Sequence, residues 1–205
     1  MKFSSAVLIA TATYAATIEL GLSGAPDKSK TYIEAITYGG SGCNQGSVSS
    51  SVSEDLTTFT LIFDQFIAET GASKSIRASR KNCQINIDLR YPQGWSYSIV
   101  SVDYRGFVSL PKGTTAEHSA IYYFSGETAQ TKSSTNFKGP YESDYLVSQK
   151  VATSSLVWSP CGQVIQGNVN AAISISGDRT KDALMTVDSV DGKVEQIYGV
   201  QWRKC

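Results

Sequence analysis

Apolar and polar residues alternate one for one through Gln84-Ile85-Asn86-Ile87-Asp88-Leu89-Arg90, and no feature narrows the possible folds more. Side chains of an extended chain point to opposite faces in turn, so a strict two-residue period means a strand with one buried and one wetted face. The same period recurs at 32–38, 47–53, 57–63, 97–103, 107–110, 119–125, 131–137, 169–176, 184–188 and 194–200. Turn residues separate the runs: Pro92-Gln-Gly94, Pro111-Lys-Gly113, Gly139-Pro140 and Asp191-Gly192. The last, between β-branched runs, is a hairpin signal. Helical spacing shows only around Phe63–Glu69, whose β-branched and aromatic content suits a strand equally. Short strands without intervening long helices predict an all-β chain, an antiparallel β-sandwich of roughly ten strands, jelly-roll-like or similar.

The N-terminus adds a compartment. Met1-Lys2 leads into an apolar run ending at Thr13-Tyr14-Ala15, the layout of a secretory signal peptide over residues 1–15. Residues 16–30, polar with Pro and Gly, are expected to be a mobile lead-in, and residues 31–205 a single sandwich domain. Four cysteines follow the leader: Cys43, Cys83, Cys161 and Cys205. They suit two disulfides in an oxidising compartment. Of three possible connectivities, Cys43–Cys83 with Cys161–Cys205 is favoured, because each closes an independent loop of about forty residues worth roughly 4 kcal/mol. Cys-x-x-Cys spacing for zinc or redox chemistry is absent.

Lys plus Arg number 18, as do Asp plus Glu. A neutral chain argues against nucleic acid as a partner, and no run after the leader is long enough to span a bilayer. The local basic pieces, Arg77 to Lys81 and Arg203-Lys204, read as solvated loops. A soluble, secreted monomer of the extracellular space or cell wall is expected.

One group of peptides is distinctive as a set: Tyr38-Gly-Gly-Ser-Gly-Cys43, Thr57-Thr-Phe-Thr-Leu-Ile-Phe-Asp64, Arg80-Lys-Asn-Cys-Gln84, Tyr91-Pro-Gln-Gly94, Asp103-Tyr-Arg-Gly106, Tyr122-Tyr-Phe-Ser-Gly126, Trp158-Ser-Pro-Cys-Gly162 and Val200-Gln-Trp-Arg-Lys-Cys205. In these the chain resembles the fungal secreted proteins grouped as domain of unknown function 4360, over residues 31 to 205. The resemblance implies a small secreted protein paired at all four cysteines. It carries no activity and no catalytic residue.

Chemistry is then bounded mostly by exclusion. A copper site built on an N-terminal histidine needs a histidine at the new terminus, which falls at Ala16 or Thr17, and the single histidine is His118. Three-histidine zinc fails on the same count. No nucleophile motif accompanies His118, which reads as a solvated residue at the start of a strand. The segment Asp188 to Glu195 does not have the ligand spacing of a calcium loop and reads as a turn. No metal or cofactor is expected.

Paired carboxylates for glycoside chemistry would fall to Asp103 and Glu127, with outward-facing strand carboxylates the plainer reading. Aromatic rings on a sheet surface can stack on sugars. Tyr97 is expected to face the core and Tyr104, of opposite parity, the surface. With Arg105 and Tyr123 it forms the candidate ligand-binding set. The functional expectation is a non-enzymatic wall or matrix protein that binds polysaccharide. Two alternatives are a secreted effector or elicitor binding a host protein, and a carboxylate-dependent polysaccharide hydrolase or lyase.

Overall fold

The computed structural model describes residues 24–161, 165–187 and 196–205. The leader, the first part of the lead-in and the Asp191-Gly192 turn lie outside the described residues. Those described form two antiparallel sheets packed face to face, with no α-helix among them. Strands are numbered in chain order. The first sheet runs β1 (Tyr32–Gly39), β5 (Arg80–Arg90), β10 (Gly167–Gly177), β7 (Thr114–Phe124), β8 (Gln130–Lys138). The second runs β2 (Val48–Val52), β3 (Thr58–Phe63), β12 (Gln196–Lys204), β6 (Trp95–Leu110), β11 (Ala183–Thr186), β4 (Ile67–Thr70), with β9 (Tyr141–Lys150) also on β6.

The 16-residue β6 organises the second sheet. Along one edge it pairs first with β12 and, nearer its C-terminus, with β11, while β9 takes the other edge from Ser101 to Leu110. That long edge explains β9, for which the sequence has no clear alternation: only Tyr145 of its ten residues is buried. The segment with helical spacing is extended instead, Phe63 closing β3 and Ile67–Thr70 forming β4 against β11. The two runs expected at 97–103 and 107–110 are one strand. The lead-in is ordered at its end, where the Asp27 carboxylate accepts the Ser29 N–H at 3.0 Å and caps a 3₁₀ turn, Lys28–Lys30.

Between the layers lie Ile85, Ile87 and Leu89 of β5, Val169, Ala171 and Ile173 of β10, and Leu61 and Phe63 of β3. Burying each large apolar side chain contributes about 1.5–3 kcal/mol. Aromatics knit the layers together: Tyr198 of β12 meets Tyr122 of β7 edge-on at 5.9 Å, and Tyr97 of β6 meets Phe124 of β7 edge-on at 5.1 Å. Both favoured disulfides are present, Cys43–Cys83 and Cys161–Cys205, with Cα separations of 5.5 and 6.0 Å.

One irregularity decides which face many residues occupy. Gly199 of β12 lies opposite Ser101 and Val200 opposite Ile99, so Val100 is an extra residue, a β-bulge. Before it Tyr97 points inward; after it the buried set is Val102, Tyr104, Gly106, Val108 and Leu110. The parity of β6 changes midway.

Candidate functional site

The bulge corrects the first expectation. Tyr104 is fully buried, its ring 3.9 Å from that of His118 and its hydroxyl donating to Thr135 Oγ1. Burial holds its phenol above the ordinary range. It therefore offers no surface ring to a sugar. Arg105 lies on the outer face of the second sheet, opposite Leu146, and Tyr123 on the outer face of the first, opposite Gln130 and Asn168. The three expected ligand residues occupy a core and two opposite surfaces. They do not form one site.

Asp103 also lies outward on the second sheet, between Ile197 and Ser148. Glu127 is in the exposed turn after β7 of the first sheet, its N–H donating to the Phe124 carbonyl at 3.1 Å. The fold does not bring this pair together. Asp88 faces outward as its alternation predicts and accepts from Gln166 Nε2 at 3.1 Å.

His118 is not a solvated loop residue. It faces inward from the middle of β7, 1% exposed, between Ala116 and Ala120 and beside Thr135 of β8. Neither ring nitrogen has a hydrogen-bond partner within the protein. Desolvation alone lowers its pKa to about 3, so it is neutral across the physiological range. Among the described residues no carboxylate orients either ring nitrogen. No group of three or more His, Cys, Asp or Glu suited to a metal ion occurs among the described residues.

The substantial recess lies elsewhere, along the open side of the sandwich. There β1 and β2, each at the end of its own sheet, leave a groove of about 610 Å³, within the range of ligand sites. Ile33, Val52 and Leu56 supply its apolar lining. Ser50 and Ser51 bring hydroxyls, Glu54 and Lys28 bring opposite charges, and Ser53 Oγ is held by the Asp55 carboxylate and the Thr58 N–H. Tyr32, 52% exposed, contributes its ring from β1. Leu56, with φ of 59°, is held in a left-handed conformation and its carbonyl accepts from Trp202 Nε1 at 2.8 Å. A narrow apolar seam of about 30 Å³, room for a water or two, runs inward from Thr31, Ile33, Val52 and Leu56. The sequence showed Tyr32 as a residue out of phase with Ile33. Nothing local showed that β1 and β2, from different sheets, border one groove.

A second surface forms where β6 begins and β12 ends. Arg203, expected in a solvated loop, is on β12 with its guanidinium carbon 4.1 Å from the centre of the Trp158 ring. Lys204 Nζ lies 5.6 Å from the Trp95 ring.

Taken together, the described residues define a disulfide-clamped, antiparallel β-sandwich with a surface recess between β1 and β2. The profile of the family described as Domain of unknown function (DUF4360) matches residues 29–205, and the chain belongs to that family. An uncharacterized secreted protein of Arthroderma benhamiae is 45% identical over 186 residues, covering 90% of this chain and 76% of the relative. With both disulfides formed, the protein is a secreted one. Among solved structures, TmCBM61 in complex with beta-1,4-galactotriose matches 84% of this chain and 90% of its own at 9% identity and a TM-score of 0.29. The enzymatically active domain of bacteriophage CBA120 tailspike protein 4 matches 87% of this chain and 20% of its own, at 12% identity and a TM-score of 0.25. Likenesses this distant carry no argument about function.

Proposed function

We propose that this is a non-enzymatic secreted protein that binds cell-wall or matrix polysaccharide in the groove between β1 and β2. The observation that carries the reading is that the half-exposed Tyr32 lines one groove with the exposed Ser50 and Ser51. A sugar presents an apolar face that stacks on an aromatic ring and an equatorial fringe of hydroxyls that needs hydrogen-bonding partners; the groove has both. Glu54 and Lys28 add an acceptor and a donor at its border. The groove is open, as an internal stretch of polymer requires. The hydrolase or lyase reading has less support, since Asp103 is on the outer face of the second sheet and Glu127 is in a turn after β7 of the first.

Co-sedimentation with insoluble glucan, chitin and cellulose, followed by a glycan array with and without calcium, tests this reading. At least one neutral glycan is expected to retain the protein. Tyr32→Ala is expected to weaken that binding about tenfold while leaving the thermal midpoint unchanged, because the ring is at the surface. Retention by no glycan, or equal binding by Tyr32→Ala, overturns the proposal.

A further inference from the structure

The geometry points to a second binding site, built from Trp95, Trp158, Arg203 and Lys204, for the oxyanion groups of an acidic sugar polymer. It stands on different residues from the groove and does not depend on it.

Its frame is rigid. The Ser159 N–H donates to the Tyr97 carbonyl at 2.9 Å, and Ser159 Oγ accepts the Tyr97 N–H at 3.0 Å. Ser96 Oγ donates to the Ser159 carbonyl at 2.6 Å, so three bonds hold the segment bearing Trp158 against β6. Disulfide Cys161–Cys205 ties that segment to the end of β12, and the Cys205 N–H donates to the Gly94 carbonyl at 2.9 Å. Gly94, with φ of 83°, makes the turn into β6 that places Trp95.

On this frame both cations are exposed and each lies over a partly exposed ring. A cation–ring contact restrains a side chain that would otherwise lose that freedom on binding. Among the described residues neither Arg203 nor Lys204 is paired with a carboxylate. Two adjacent cations, each held over a ring, are a local concentration of positive charge. A guanidinium lying on a ring keeps its N–H fork at the edge, the geometry that takes a carboxylate, sulfate or phosphate two-pronged.

The test uses the whole protein, with intrinsic tryptophan fluorescence and co-sedimentation as readouts. Polygalacturonate supplies carboxylates, heparin sulfates and a phosphorylated mannan phosphates; neutral dextran is the control. At least one acidic polymer is expected to bind and to be released by salt. Arg203→Gln with Lys204→Gln is expected to weaken that binding at least tenfold, and Arg203→Lys several-fold, since it keeps the charge and loses the fork. Tyr32→Ala should leave it unchanged, which separates this site from the groove. Circular dichroism confirms that each variant is folded. Equal binding by the double variant, or no salt-sensitive binding to any acidic polymer, overturns the inference.

Discussion

Acid should weaken this fold well before its carboxylates titrate, and His118 is the cause. The imidazole is the only one in the chain and is neutral in the folded state, with a pKa held down to about 3 by burial. In the unfolded chain it takes up a proton near its ordinary value of about 6.5. Between those values the unfolded state binds more protons, so stability is intact above about pH 6.5 and falls as pH drops toward 3. From about pH 7.5 to about pH 5.0 the loss is roughly 2 kcal/mol. For a protein of this length that lowers the thermal midpoint by about 4–8 °C. Asp55, held to about 2 by hydrogen bonds from Ser53 and Thr57, adds acid sensitivity only at lower pH, where unfolded carboxylates begin to protonate. The window above pH 5 thus isolates one residue. Thermal unfolding of wild type and His118→Leu, close to imidazole in volume, would be followed at both pH values. The variant's own midpoint is immaterial; the expectation is that its drop between the two pH values nearly vanishes. An equal drop in both proteins would refute the reasoning.

The fold carries other tests. Replacing Cys161 and Cys205 together by Ser removes a cross-link of sequence separation 44 and should cost about 4 kcal/mol, read as a fall in thermal midpoint of about 8–16 °C. A shift under about 2 °C would mean the bridge constrains little. Gly106→Ala would drive a methyl group to 2.1 Å from the Thr186 carbonyl oxygen, where β11 packs on β6, and should cost about 3 kcal/mol or more by urea unfolding. Gly39→Ala, with nothing within 4 Å, is the control and should be near neutral.

Particular elements show why some of this was readable from residue order and some was not. Strand β5 was legible because its partners merely continue its alternation, Cys83, Ile85, Ile87 and Leu89 all facing in. Tyr104 was not, because one inserted residue, Val100, turned the remainder of β6 over, and a bulge is set by pairing with β12 rather than by local chemistry. His118 was misread because its neighbours Glu117 and Ser119 are polar, whereas its own position alternates with Ala116 and Ala120 and is covered by Tyr104 of the opposite sheet. Strand β9 exists because β6 is long enough to accept it.

The residue order alone pointed to an antiparallel, all-β chain and favoured the cysteine pairing that the fold adopts, since side-chain period and loop length are properties of neighbouring or countable positions. Only the assembled sandwich decided which sheet each strand joined, that Tyr104 and His118 face one another in the interior, and that Tyr32 borders a groove with residues of β2. The physical reason is that these are contacts across layers, fixed by how two sheets bury their inner faces together, and no stretch of sequence contains both sides of such a contact.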